Sequence, residues 1–198
     1  MNVLIIPEDP RYDRHILKPV VRALLERLNK PNATIEFPKG TLGGTGSALD
    51  WTSIRSILDQ YEYLVDLFLL CVDRDGQRGR RDALDHLEKQ ARDKLDADGF
   101  GEICFLAVAA HQEIEVWGLG GLDDLPTPTE YQWDDVRRAP DSKERYFAPH
   151  AEKRGISERE FGGRKTLGEE SASNYDALRQ KCLELEELEK RIRRWLDS

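Results

Sequence analysis

The carboxylates of this chain fall where a divalent cation can use them. Leu67-Phe68-Leu69-Leu70-Cys71-Val72 is a continuous apolar run that stops at Asp73-Arg74-Asp75-Gly76, two acids spaced i, i+2 before a glycine. Glu8 follows an earlier apolar run, Val3 to Ile6. Glu113 and Glu115 follow a later one, in His111-Gln112-Glu113-Ile114-Glu115-Val116-Trp117. Uncompensated carboxylates at the rim of an apolar sheet are costly, so a bound cation is their natural partner. Mg²⁺ and Mn²⁺ take oxygen ligands, with a few carboxylates complemented by water and phosphate oxygens. Ions held this way activate water and stabilise both the attacking and the leaving oxygen of a phosphodiester displacement. The plain alternative is that Asp-x-Asp-Gly closes a turn and nothing more. An EF-hand loop fits poorly, because acids do not continue at its remaining ligand positions.

The elements that must position these acids read as alternating strands and helices. Val3 to Ile6 is strand-like, and Asp13 can cap the helix that follows, with Ile16, Leu17, Val20, Val21, Leu24, Leu25 and Leu28 at helical spacing. Thr34 to Phe37 is a short strand, Trp51 to Gln60 a helix, and Tyr63 to Val72 contains a central strand buried on both faces. Arg80 to Ala97 is helical, Glu102 to Ala109 a strand, and Gln112 to Leu119 the start of a helix. This order predicts an α/β fold, a mostly parallel sheet flanked by helices. In such a sheet the carboxyl ends of the strands share one edge, where ligands bind. Glu8, Asp73, Asp75 and the Glu113/Glu115 pair would converge there. A helical i, i+2 pair points to different faces, so Glu113 and Glu115 are not both expected on one ion.

Past Gly121 the character changes. Leu125-Pro126-Thr127-Pro128 is a breaker, the stretch to about Glu170 is polar and reads as loop-rich, and Tyr175 to Trp195 reads as one final amphipathic helix. The expected organisation is a core over residues 1–121 with a C-terminal extension over 122–198 packed on it.

The chain has 198 residues, 39% hydrophobic and 34% charged, with a formal net charge of -8. That balance argues against binding nucleic acid by bulk electrostatics, so any polyanion would be held by local basic patches, a partner subunit or the metals. No run reaches the roughly 18–20 apolar residues of a membrane span. The N-terminus lacks the basic flank and length of a signal peptide. Cys71, Cys104 and Cys182 are spaced for neither a disulfide framework nor zinc, as expected of buried thiols in the cytoplasm.

An acid after the first strand and an Asp-x-Asp after a later one, here Glu8 and Asp73-Arg74-Asp75, resemble the Toprim (topoisomerase–primase) pattern. The Glu-Ile-Glu-Val-Trp segment is similar to the Glu-x-Trp signature of bacterial Toprim-like families related to the overcoming-lysogenization-defect nucleases. The resemblance covers roughly residues 3–120, and Gly163-Arg164-Lys165 extends it. It implies a Toprim-like fold, Mg²⁺ or Mn²⁺, and phosphodiester hydrolysis of DNA or RNA in antiphage defence, beside an ATPase partner. It also makes Glu115 the preferred late glutamate, with Glu113 the alternative. The chain departs from the usual Glu-Gly start: Pro7-Glu8-Asp9-Pro10 makes Asp9 a rival of Glu8.

Other features have weaker claims on chemistry. Gly43-Gly44-Thr45-Gly46-Ser47 can offer backbone N–H groups to a phosphate but lacks the P-loop lysine, and reads better as a flexible connection. His111 beside Glu113 is a candidate base and, more simply, a structural histidine. His15, His86 and His150 have less to recommend them. Trp117 is expected in the core. Among the basic residues from Lys143 to Lys165, Lys165 and Arg164 are best placed to meet a phosphate. The competing function is a non-enzymatic subunit that binds a metal or nucleotide within a larger complex.

Overall fold

A computed structural model describes residues 1–39, 49–74, 76–77, 79–125 and 132–198. Strands β1 (Asn2–Pro7), β2 (Thr34–Glu36), β3 (Leu67–Asp73) and β4 (Cys104–Ala110) form one all-parallel sheet in the order β2-β1-β3-β4. Val3 to Pro7 and Leu67 to Val72 are buried without interruption, as central strands covered on both faces must be. Alternate residues serve opposite layers. Val3, Ile5, Leu67, Leu69 and Cys71 pack with helix α1 (Arg14–Arg27). Leu4, Ile6, Phe68, Leu70 and Val72 pack with α2 (Trp51–Tyr61) and α3 (Arg80–Ala97).

The connections β1-α1-β2 and β2-α2-β3 therefore cross opposite faces, as right-handed crossovers running in opposite directions must. The direction of progress through the sheet reverses between β1 and β3. That pair is the topological switch point, the position at which open α/β sheets generally bind ligands.

Residues after β4 thicken the α1 layer. They form α4 (Glu115–Gly120), α5 (Trp133–Arg138), a π-helical turn (Lys143–Phe147), α6 (Ala148–Lys153), a 3₁₀ turn (Glu160–Gly163), α7 (Arg164–Ser173), α8 (Tyr175–Lys181) and α9 (Leu183–Leu196). Phe147, Leu167, Leu178, Leu185 and Ile192 share one apolar cluster with Ile16, Leu17 and Val20. The stretch that reads as loop-rich is thus mostly helical. Its helices are short and contribute only a few apolar residues each, a periodicity too brief to register locally, and packing on α1 supplies their stability. The single final helix is also corrected: it breaks at Cys182 (φ -114°, ψ 84°). There the Lys181 carbonyl accepts the Trp133 indole N–H at 3.0 Å, and the Cys182 side chain is buried near Gly120.

Close backbone approach locks α7 in place. A Cβ on Gly168 would stand 2.6 Å from the His15 carbonyl oxygen. Pro19, inside α1, has no N–H to donate to that carbonyl, so α1 is modified where α7 crosses it. A Cβ on Gly121 would fall 2.1 Å from the Ser171 carbonyl oxygen. Cys71 and Cys182 are buried, Cys104 is half-buried, and all three are free thiols. Among the described residues, no helix is long and apolar enough to cross a membrane. Gly43 to Ser47 and Pro126 to Pro128 lie outside the described residues.

Candidate metal centre

Glu8 is the first residue beyond β1 and Asp73 the last of β3, so the switch point carries a carboxylate on each side. Glu8 is buried, with Oε1 3.9 Å from an Nη of buried Arg80, at the start of α3. Its rival Asp9 is exposed and closes the loop, its Oδ1 accepting from the N–H of Arg11 at 2.9 Å and of Tyr12 at 3.3 Å. Asp73 Oδ1 accepts the Ile114 N–H at 2.8 Å, which aims it at the entrance to α4. Burial pushes the Asp73 carboxyl up to about 9, helped by the negative charges of Asp13, Glu115 and Glu8 and opposed by the Ile114 hydrogen bond. Asp75, the second acid of the Asp-x-Asp, lies outside the described residues.

Glu115 opens α4 and is buried. The Nε of Arg164 donates to its Oε1 at 3.1 Å, and a terminal nitrogen of the same guanidinium donates to that oxygen too. Arg164 begins α7. Its guanidinium carbon lies 5.2 Å from the centroid of the Tyr12 ring and 5.6 Å from that of Phe147, and an Nη donates to the Phe161 carbonyl at 3.2 Å. Of the two basic residues that end the Gly-Arg-Lys segment, Arg164 is held at the acids, whereas Lys165 is exposed.

The alternative glutamate, Glu113, is turned to the C-terminal region. Its Oε2 accepts from Ser142 Oγ at 2.9 Å and the Lys143 N–H at 2.6 Å. His111 is engaged likewise, its Nδ1 2.6 Å from the Arg137 carbonyl oxygen, and Trp117 is fully buried with its indole N–H on Glu184 Oε1 at 3.0 Å.

Two features here escape a reading of the sequence. Asp13 precedes α1 but does not cap it. Its Oδ2 accepts the Asp9 N–H at 3.0 Å, and burial together with Glu115 and Asp9 lifts its carboxyl to about 7 against that hydrogen bond. An acid before a helix carries the same local signal whether it caps or turns inward. Gln112 takes a left-handed conformation (φ 75°). Its carbonyl accepts the Arg74 N–H at 2.8 Å and its Oε1 the Gly76 N–H at 2.8 Å, fastening the loop after β3 to the loop after β4. Among the described non-glycine residues only Asn29, Gln112 and Phe161 have positive φ. Gln112 and Phe161 both border this centre, where backbone strain tends to be kept for function.

The donor set suits a hard cation: four carboxylates, Glu8, Asp13, Asp73 and Glu115, share a low-dielectric edge with two arginines. Burial and, after it, the negative charge of the other three acids hold Asp73 up. Among the described residues, however, the three carboxylates whose oxygens lie within 4.8 Å of one another are Asp59, Glu62 and Asp98. That cluster already has its cation. Lys94 Nζ lies 2.8 Å from Asp59 and 3.0 Å from Asp98 and is hydrogen-bonded to Glu62, so its ammonium stays protonated despite the burial that opposes this. Compared with known proteins, the chain matches no family model, no curated protein and no solved structure.

Proposed function

We propose that this chain is a Toprim-like, Mg²⁺- or Mn²⁺-dependent phosphodiesterase, a nuclease acting on DNA or RNA. The observation that carries the reading is the pairing of Glu8 and Asp73 across the switch point, with Asp13 and Glu115 close enough for their charges to act on Asp73. Glu8, Asp73 and Glu115 would hold the metal, joined by Asp75. When bound, the ion supplies a Lewis acid and an activated water for attack at phosphorus. The chain's own groups do the rest. The Ile114 N–H fixes the Asp73 carboxylate, Arg80 and Arg164 orient Glu8 and Glu115, and Asp13 can hold and release a proton near neutral pH. Lys165, exposed next to Arg164, is free to meet a substrate phosphate and is assigned transition-state charge stabilisation. On this reading the activity would serve antiphage defence, beside an ATPase partner subunit.

A second reading has its own observation. Three of the four acids are buried, and Glu8 and Glu115 already face arginines, as in a metal- or nucleotide-binding subunit without turnover. Incubating DNA and RNA with the protein and Mn²⁺, beside Asp73→Ala, separates the two. The hydrolase reading requires Mn²⁺-dependent cleavage that falls at least about a hundredfold in the variant. Equal activity in both proteins, or cleavage that persists in chelator, would sink it.

A further inference from the structure

In a chain with a net charge of -8, one group of cations beside the centre lacks carboxylate partners. Arg14 and Lys18 lie one turn apart on α1, and Arg11 precedes Arg14 by three residues. All three are exposed, and none forms an ion pair among the described residues. The neighbouring Asp9 carboxylate is occupied by the N–H groups of Arg11 and Tyr12. Aromatic rings carry the guanidiniums. Arg11 lies 5.3 Å from the centroid of Tyr12 and Arg14 5.2 Å from that of Phe37, an arrangement that leaves guanidinium edges able to grip phosphate.

A stack of rings adjoins this row. His15, on the turn between Arg14 and Lys18, lies parallel to Phe161 with centroids 3.6 Å apart and planes at 20°. Tyr12 meets Phe161 edge-on at 6.5 Å. The rings of Tyr12, His15 and Phe161 are only half-buried. Phe161 is held there in a left-handed conformation (φ 65°, ψ 27°), followed by Gly162 and Gly163 with φ of 63° and 80°. Its carbonyl accepts from the same Arg164 that holds Glu115. One side chain thus ties the ring stack to the acid centre.

We propose that the surface beside the centre is a binding site for a single-stranded polynucleotide, its phosphates on Arg11, Arg14 and Lys18 and one unpaired base stacked on the His15–Phe161 pair. This rests on the phosphodiesterase reading and narrows its substrate to unpaired strands. Partly exposed rings beside unpaired cations are the elements with which proteins hold such strands, and a duplex offers no free base face.

The test is fluorescence anisotropy in chelator, where no cleavage occurs. The probes are labelled oligothymidylate, oligouridylate, an abasic strand of equal length, and a duplex. Wild type is expected to bind the thymidylate or uridylate strand about tenfold more tightly than the abasic strand. Phe161→Leu removes that difference and leaves abasic binding unchanged. Arg14→Glu with Lys18→Glu, both on the exposed face, weakens all strands equally and lowers the salt slope by about 1.4. Equal binding of intact and abasic strands by wild type, or tighter binding of duplex, overturns the proposal. So does a base preference that survives Phe161→Leu. The two readings fail separately. Base-dependent binding without Mn²⁺-dependent cleavage removes only the hydrolase, and cleavage with indifference to bases removes only the stacking site.

Discussion

Asp73 and Asp13 make the protein's stability depend on pH in an unusual sense. A carboxyl whose pKa is higher folded than unfolded keeps a proton that the unfolded chain releases. The stability this contributes is complete below about pH 4. It is lost as the pH rises through about 7 for Asp13 and about 9 for Asp73. The unfolding midpoint of metal-free protein is therefore expected to fall from about pH 5 to about pH 9. Asp73→Asn, which cannot ionise, flattens the upper part of that decline. Added Mg²⁺ or Mn²⁺ must displace these protons, so it should raise the midpoint more at alkaline than at acid pH. A thermal melt series with and without the ion reads both effects. A second prediction concerns Gln112, whose hydrogen bonds run to the backbone of Arg74, Gly76 and Arg138. Gln112→Ala frees the loop after β3 and should weaken Mn²⁺ binding about tenfold, measured by calorimetry.

At the scale of elements, α9 and α3 guard the outer edge of β4. The Ala107 N–H donates to Glu88 at 2.6 Å and the Ala107 carbonyl accepts from Arg191 at 3.0 Å, while Arg191 and Glu88 pair with each other at 2.6 Å. His111 N–H, one residue past the strand, donates to Glu184 of α9 at 3.1 Å. These side chains take the place of a further strand and leave less of the edge open to another chain. Arg191→Ala leaves Glu88 buried without its cation. It is expected to cost about 1–3 kcal/mol in denaturant melts and to promote concentration-dependent association in light scattering. Gly168→Ala forces α7 off α1 and should cost a similar amount, about 1–3 kcal/mol. The strands and the helices to Ala97 were legible because runs such as Leu67 to Val72 and the spacing of Ile16 to Leu25 carry their signal locally. The C-terminal helices were not, since their apolar residues make sense only against α1.

Across the whole molecule, the same distinction separates what could be read of the centre from what could not. Glu8 and Asp73 stand out because a strand end is marked in the sequence and parallel strands share a direction. Asp13, Arg80 and Arg164 become visible only when the chain closes, because each owes its role to a partner far along the chain or to burial. Glu113 and His111 carry the local marks of chemistry, yet the fold spends them on anchoring residues 137 to 143. The Asp59, Glu62 and Asp98 cluster has a cation's spacing but holds the Lys94 ammonium. It lies at the C-terminal ends of α2 and α3, apart from the strand ends that carry Glu8 and Asp73.

Crystals soaked in Mn²⁺ and measured near the manganese edge put the central claim to the most direct test. The anomalous peak is expected at the switch point between β1 and β3, bounded by Glu8, Asp73 and Glu115, and should vanish in Asp73→Asn. A peak at Asp59, Glu62 and Asp98 with none at the switch point, or a switch-point peak unchanged in the variant, would contradict it.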